Sequence, residues 1–217
     1  MKFFSFWRSL AAFRVRCALN LKGVVPSEVI DINLMQGKQR EDSFRKVNPM
    51  MALPALIEDD GNVLFESLAI LEYLDETHPS PPLLPKAPKD RARVRALSLV
   101  CAADTHPLIV PRVREYLEHQ FKVDPAGVAE WGRHWHEVSL TALEAELTRS
   151  RQTGKYAHGD QITIADICLA GNAVGASYFK CDISPYPTFK RIVDTCWQND
   201  AFARAHPLKQ PGAPVST

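Results

Sequence analysis

Residues 51–74 read MALPALIEDDGNVLFESLAILEYL and contain the clearest indication of secondary structure in the chain. Two short apolar runs, 55–57 and 63–65, flank EDDGN, which is rich in turn-forming residues and therefore predicts a β-hairpin. A helix is predicted over 67–76, because leucines recur there at helical spacing. A hairpin followed by a helix that covers it is typical of a small α/β domain.

Upstream of the hairpin, strand-like and helix-like segments alternate. The pattern predicts a strand at 3–6, a helix over 12–22 that ends at Gly23, and a second strand at 29–32. The polar segment 36–46 has no clear period, and its form is left open. With that segment counted as helical, the order is β-α-β-α-β-β-α, which is the order of a small α/β domain.

A proline-rich segment then separates two kinds of sequence. Residues 75–90 read DETHPSPPLLPKAPKD and carry five prolines: Pro79, Pro81, Pro82, Pro85 and Pro88. Neither a helix nor a central strand tolerates prolines at this density, so the segment is predicted to be a semi-rigid linker. The predicted organisation is an α/β domain over 1–78, a linker over 79–89 and an all-α domain over 90–217.

The second half of the chain is predicted to be helical throughout. Its helical segments begin near residue 91, cover 125–150, begin again near 163 and cover 186–205. Asp90 is predicted to cap the first of these, and Pro107 and Pro111 are predicted to kink or break it. Thr163 with Asp166 three residues later forms a capping-box pattern, which marks the start of a helix.

Composition excludes several classes of function. Lys and Arg number 26 against 25 Asp and Glu, so no overall field attracts nucleic acid or an anionic membrane. No signal peptide and no membrane-spanning stretch is predicted. The five cysteines share no metal-site spacing, which favours a reduced, cytoplasmic protein without a structural metal. His134 and His136 lie two apart on a predicted helix and diverge, so they are not expected to share a metal.

Residues 6–16 read FWRSLAAFRVR, with one hydroxyl among three arginines. This stretch, the proline-rich linker, the capping box and the pairs Leu53-Pro54 and Glu66-Ser67 together resemble the zeta class of the cytosolic glutathione transferases, which contains the maleylacetoacetate and maleylpyruvate isomerases. The resemblance covers nearly the whole chain. It implies a thioredoxin-like α/β domain followed by an all-helical domain, with glutathione as cofactor and a two-fold homodimer as assembly.

The resemblance assigns parts of glutathione to particular residues. Ser67 and the helix that it opens would bind the γ-glutamyl carboxylate, and Glu66 would accept from the ammonium group. Leu53, held before a cis-proline, would present its backbone groups to the cysteinyl amide as an edge strand does. Gln39 would donate to the glycyl carboxylate, and His106 is a further candidate for a carboxylate. Each of these residues could instead have only a structural role, as a helix cap, an edge turn or a core residue.

Ser9 is the candidate catalytic residue. A hydroxyl that donates to sulfur at a helix N-terminus favours the thiolate, and a pKa lowered by about two units requires roughly 2.7 kcal/mol. In the isomerases that this chain resembles, the thiolate adds to the cis double bond of a maleyl ketoacid, the bond rotates and glutathione leaves. Arg8 and Arg112 are the candidates to bind substrate carboxylates. The same hydroxyl could instead serve only as a helix cap.

Two departures from the zeta pattern keep other functions open. The isomerases commonly carry Ser-Cys after the serine, where this chain has Leu10 and Ala11. The apolar Leu10, Ile109 and Val110 favour a glutathione transferase, dehalogenase or peroxidase that acts on an apolar electrophile. A third alternative is a binding protein that kept the fold without the chemistry.

Overall fold

The computed structural model describes residues 1–214, and its packing divides the chain into two compact units. The first unit comprises Met1–Leu83 and the described part of Asn199–Thr217, and the second comprises Leu84–Gln198. This division differs from the predicted ranges at the C-terminus. Helix α10 (Asp200–Ala205) packs against α1 (Leu10–Lys22) in the first unit. Asn20 of α1 donates a hydrogen bond of 2.9 Å to the Ala201 carbonyl, 181 residues away.

The first unit is built on a four-stranded sheet of order β2-β1-β3-β4. Its strands are β1 (Lys2–Ser5), β2 (Glu28–Asp31), β3 (Ala55–Ile57) and β4 (Val63–Phe65). Strand β1 pairs in parallel with β2 and antiparallel with β3, and β3 pairs antiparallel with β4. The predicted hairpin strands are confirmed, and the first two strands begin and end one residue earlier than predicted. Together with the helices, this is the α/β domain that the sequence predicts.

The segment left open by the sequence, 36–46, is anchored by an aromatic residue. Its course is two short 3₁₀ turns, Leu34–Gln36 and Lys38–Arg40, followed by one turn of helix, α2 (Asp42–Arg45). Phe44 of α2 is buried and its ring centroid lies 5.6 Å from that of Phe4 on β1. The segment has no helical period because a single buried ring, rather than an amphipathic face, attaches it to the sheet.

The second unit is helical, as predicted. Its helices are α4 (Pro88–Leu99), α5 (His106–Ile109), α6 (Pro111–Gln120), α7 (Pro125–Arg149), α8 (Ile164–Tyr178) and α9 (Pro187–Trp197). A π-helical turn, Val100–Thr105, joins α4 to α5, and extended Val110 separates α5 from Pro111, so the predicted break is confirmed. The predicted cap at Asp90 is wrong: α4 begins at Pro88 after Ala87, because proline suits the first helical position.

Helix α8 forms the centre of the second unit and starts at the predicted capping box. It packs against α4, α7 and α9. Asp166 is 0 % exposed, and its carboxylate accepts from the Thr163 N–H at 2.7 Å, the Thr163 hydroxyl at 2.9 Å and the Ala157 N–H at 2.7 Å. One carboxylate thus fixes both the start of α8 and the loop before it. Within the described residues, no helix is long and apolar enough to cross a membrane.

His136 of α7 makes the stability of the folded chain depend on pH. The side chain is fully buried, and burial lowers the pKa of His136 to about 4, with a weaker opposing effect of the Asn172 side chain. In the unfolded chain, a histidine with a pKa of about 6.5 binds a proton first as the pH falls. The unfolded state therefore gains protons before the folded state does, and stability is lost on acidification.

We expect the free energy of unfolding to fall by about 3 kcal/mol between about pH 7 and pH 4 through His136 alone. Urea unfolding across this range would measure the loss, and His136→Phe should remove most of that slope. His134 is exposed two residues away, so His134→Phe serves as the control and should keep the wild-type slope. An unchanged slope in His136→Phe would assign the acid sensitivity to other groups.

Candidate functional site

Most of the predicted site residues lie at one end of the sheet. Strands β1 and β2 both end there, β3 begins there and β4 ends there. The registers pair Phe4 with Ala55 and Ala55 with Phe65, so continuing them places Leu53 opposite both Phe6 and Ser67. Ser9, Leu53-Pro54 and Glu66-Ser67 therefore meet at this end, although up to 58 positions separate them in the sequence. We call this end of the sheet the site edge.

Ser9 is the N-cap of α1 and also retains a proton to donate. Its backbone is extended, with φ −69° and ψ 116°, and its Oγ accepts from the Ala12 N–H at 3.2 Å. Its own N–H donates to the Phe6 carbonyl at 3.0 Å. Among the described residues, the hydroxyl proton has no acceptor. Since a serine hydroxyl accepts and donates at once, the cap and the donor to sulfur are compatible roles.

The start of α3 (Ser67–Thr77) combines an acidic residue with first-turn N–H groups that have no side-chain cap among the described residues. Glu66 is the N-cap, with φ 66° and ψ 117°, a left-handed φ that costs a non-glycine residue of the order of 1–3 kcal/mol. Ser67 is buried, and its Oγ accepts from the Arg14 Nε at 3.0 Å. The first-turn N–H groups of a helix attract an anionic group, and the adjacent carboxylate can accept from a cation.

The loop before β3 carries the Leu53-Pro54 pair and is held by a residue that sequence reasoning missed. The Leu53-Pro54 peptide bond is cis, as the resemblance implies. Asn48 is buried; its Nδ2 donates to the Ala52 carbonyl at 2.8 Å and its Oδ1 accepts from the Met50 N–H at 3.1 Å. The Asn-Pro dipeptide at 48–49 is a turn signal that could have identified this loop.

Gln39 is buried in the second 3₁₀ turn, Lys38–Arg40. Its Oε1 accepts no hydrogen bond among the described residues. A buried amide is expected to have partners, and the glutamine amide offers two donors besides this acceptor. A ligand with a carboxylate next to a peptide N–H would satisfy both sides of the amide.

Arg8 and Arg14 occupy different positions relative to Ser9. Arg8 is half-buried in the turn that leads into Ser9, so a role in binding substrate stays a prediction. Arg14 is 3 % exposed, and its bond to Ser67 joins α1 to the start of α3 across 53 residues. This hydrogen bond gives Arg14 a structural role. No local pattern could identify that partner.

His106 and Arg112 belong to the second unit. His106 opens α5, directly after the π-helical turn Val100–Thr105, and is half-buried. Arg112 lies in the first turn of α6 and is exposed. The roles of both residues toward glutathione and substrate stay predictions.

The residues at the site edge fit glutathione part by part. The start of α3 with Ser67 can bind one carboxylate, and Glu66 can accept from the neighbouring ammonium. Leu53 lies beyond the β1–β3 and β3–β4 ladders, where an extended peptide can pair with its backbone. Ser9 has a hydroxyl proton to donate to sulfur. The site edge thus offers chemically matched groups for the γ-glutamyl end, the cysteinyl peptide and the thiol, while the role of Gln39 toward the glycyl carboxylate stays a prediction.

Comparison with known proteins identifies the family. Residues 3–82 match the family model of the glutathione S-transferase N-terminal domain. Maleylpyruvate isomerase of Ralstonia sp is 39 % identical over 97 % of this chain and 99 % of its own length. Maleylacetoacetate isomerase of Rattus norvegicus is 39 % identical over 98 % of this chain and 94 % of its own length.

A solved structure is similar over almost the whole chain. Maleylacetoacetate isomerase of Methylobacterium extorquens AM1, solved with bound malonate and glutathione, has a TM-score of 0.96 and 46 % identity. The match covers 99 % of this chain and 100 % of that one. The fold, the site edge and the sequence similarity thus lead to a single family.

Proposed function

Because the chain belongs to the zeta class of the glutathione transferases, together with the maleylacetoacetate and maleylpyruvate isomerases, we propose that it is a glutathione-dependent cis–trans isomerase of a maleyl ketoacid. The observation that carries the proposal is the convergence of Ser9, Leu53 and Glu66-Ser67 at the site edge. A relative binds malonate, a dicarboxylate, together with glutathione. Such a pair of ligands matches a substrate that carries carboxylates.

In this proposal, different residues of the chain bind different parts of glutathione. Glu66 and Ser67 bind the γ-glutamyl end, Leu53 pairs with the cysteinyl amide, and Gln39 donates to the glycyl carboxylate. Ser9 donates its hydroxyl proton to sulfur, which favours the thiolate. Bound glutathione supplies a nucleophile that adds to the cis double bond and is eliminated after rotation about it.

Carboxylate binding by the chain would keep the substrate oriented while that bond rotates. Arg8 and Arg112 are the candidates to hold the substrate carboxylates, and His106 is a further candidate to contact a glutathione carboxylate. A guanidinium binds a carboxylate in bidentate fashion, which fixes direction as well as position. Holding the substrate by its ends leaves the central bond free to turn.

A transferase, dehalogenase or peroxidase that acts on an apolar electrophile is the second candidate. Leu10 and Ala11 favour it, because they remove the two polar side chains that commonly follow the serine in the isomerases. Both residues are buried in α1, so Ser9 would act with backbone donors alone. Ile109 is also buried, and an apolar residue that fills a core needs no apolar substrate to explain it.

One set of assays separates the candidates. The enzyme is mixed with glutathione and maleylacetoacetate or maleylpyruvate, and loss of the cis chromophore is followed. Turnover that requires glutathione supports the isomerase. Conjugation of an apolar electrophile without isomerisation supports the second candidate, and the absence of glutathione binding by calorimetry at millimolar concentration supports a binding protein that lost the chemistry.

We expect Glu66→Gln to raise KM for glutathione about tenfold and to change kcat little, since loss of one charged hydrogen-bond partner costs roughly 1.5 kcal/mol of binding. Steady-state kinetics at saturating second substrate would measure both constants. The matched control is Glu76→Gln, which makes the same charge change in the last turn of α3 at an exposed position. An equal effect of the two variants would remove Glu66 from the ammonium site.

A homodimer and a cytoplasmic location complete the proposal. Phe65 of β4 and Met50 are large apolar side chains that are exposed in the single chain, and a second copy could cover them. The five cysteines are buried and form no disulfide in the part of the chain that the structure describes, as expected of a reduced compartment. Light scattering after size exclusion tests the dimer, and fractionation of the source cells tests the location.

A further inference from the structure

Arg16 connects the loop before Ser9 to the C-terminal segment of the first unit. The side chain is 8 % exposed. Its Nε donates to the Ala205 carbonyl at 3.0 Å, at the end of α10. Its Nη1 donates to the Ser5 Oγ at 3.1 Å and to the Phe6 carbonyl at 3.3 Å, and its Nη2 donates to the Trp7 carbonyl at 3.2 Å.

Two of these acceptors belong to the 6–9 loop, which carries Ser9. The Phe6 carbonyl accepts from Arg16 and also from the Ser9 N–H at 3.0 Å. Arg16 therefore fixes the orientation of the peptide planes that carry the Phe6 and Trp7 carbonyls. Because only Arg8 lies between Trp7 and Ser9, the orientation of these planes constrains where the Ser9 hydroxyl points.

The C-terminal segment contacts the same loop. Besides the Ala205 carbonyl bound by Arg16, Gly212 approaches Trp7: a Cβ on that glycine would lie 3.7 Å from the Trp7 Cδ1. Gln210 holds the turn between these two points, since its Nε2 donates to the Arg204 and His206 carbonyls at 2.6 and 3.1 Å. The segment after α9 is thus linked to the 6–9 loop both through Arg16 and by the approach of Gly212 to Trp7.

We propose that Arg16 is a positioning residue that orients Ser9 toward the glutathione sulfur and couples this orientation to the C-terminal segment. The proposal rests on the proposed function of Ser9. Arginine suits the task because its planar fork reaches acceptors on two sides at once, whereas a lysine ammonium is a point donor on a flexible stem. Arg16→Lys keeps the positive charge and removes the fork.

The test compares Arg16→Lys with Asn20→Ala. Asn20 makes a further hydrogen bond from α1 to α10, to the Ala201 carbonyl, and among the described residues it makes no hydrogen bond to the 6–9 loop. The pKa of the bound glutathione thiol is read from the ultraviolet absorbance of the thiolate against pH. Steady-state kinetics of the isomerase reaction give kcat and KM.

We expect Arg16→Lys to raise the pKa of the bound thiol by about one unit and to lower kcat at neutral pH about tenfold. KM for glutathione should stay within about twofold, because the residues that bind its ends are unchanged. Asn20→Ala should leave the thiol pKa at the wild-type value. A folded Arg16→Lys with the wild-type thiol pKa would overturn the inference, as would an equal shift in Asn20→Ala.

Should Arg16→Lys not fold, Ser5→Ala decides the question, because it removes one acceptor of the Arg16 Nη1 and leaves the other bonds. We expect the thiol pKa to move in the same direction and kcat to fall about two- to threefold, and no change in either would overturn the inference. A wild-type protein that binds glutathione without lowering its thiol pKa would instead overturn the proposed function, and this inference with it.

Discussion

Ser9→Ala is expected to lower kcat/KM of the isomerase reaction about a hundredfold at neutral pH while glutathione still binds. The hydroxyl proton that Ser9 can donate has no acceptor among the described residues. If that proton lowers the thiol pKa by about two units, loss of the hydroxyl reduces the thiolate fraction about a hundredfold. Calorimetry for binding and steady-state kinetics for turnover would separate the two effects.

Ser9→Gly distinguishes the donor to sulfur from the helix cap. Glycine caps a helix within a few tenths of a kcal/mol of serine, whereas alanine costs about 1 kcal/mol. If Ser9 acts on sulfur, the glycine variant should be nearly as stable as the wild type and as inactive as the alanine variant. If activity is instead high in the more stable glycine variant and low in the less stable alanine variant, the role of Ser9 is that of a helix cap only. Ser9→Thr should restore most of the rate.

Asp166→Ala is expected to lower the free energy of unfolding by about 4 kcal/mol, the largest stability effect that we predict. The carboxylate accepts from two backbone N–H groups and one hydroxyl in a fully buried site. Alanine leaves these donors unsatisfied, and each such loss costs about 1–3 kcal/mol. Denaturant unfolding followed by circular dichroism would measure the change.

The matched control for this prediction is Asp160→Ala. Asp160 precedes α8 by a few residues, is exposed and accepts one hydrogen bond of 2.9 Å from the Lys155 N–H. We expect Asp160→Ala to cost no more than about 1 kcal/mol. Equal unfolding midpoints for the two variants would show that the buried capping box contributes little. Asp166→Asn keeps the shape but replaces one acceptor oxygen by an NH2 donor that faces other donors, and its loss of stability should fall between those of the two alanine variants.

Features within a few residues of each other were predictable. The 55–57 and 63–65 hairpin, the capping box at Thr163 and the break before Pro111 all follow from the backbone preferences of adjacent residues. The start of α4 was misplaced by a few residues because two signals competed there. Asp90 suits an N-cap, but Pro88 suits the first turn equally well, and the structure follows the proline.

Contacts between distant parts of the chain were not predictable. The Arg14 bond to Ser67 spans 53 residues, and the Arg16 bond to the Ala205 carbonyl spans 189. The same Arg-x-Arg pattern would suit two surface arginines of an exposed helix. Which of the two arginines bonds to Ser67 depends on how α1 and α3 pack against each other. The hydrophobic period of either helix does not specify that packing.

The kinds of element, the change from α/β to all-α and the family could all be inferred before folding is considered, because they depend on local propensity and on residues at characteristic spacings. The folded chain is needed to see that β1, β3 and β4 bring Ser9, Leu53 and Glu66 to one edge of the sheet. The packing of α10 in the first unit and the hydrogen bonds from Arg16 to the 6–9 loop are likewise visible only in the folded structure. Hydrogen bonds and packing between residues that are far apart in the sequence form only when the whole chain is folded. These contacts bring together the candidate site residues that the sequence pattern identified one by one.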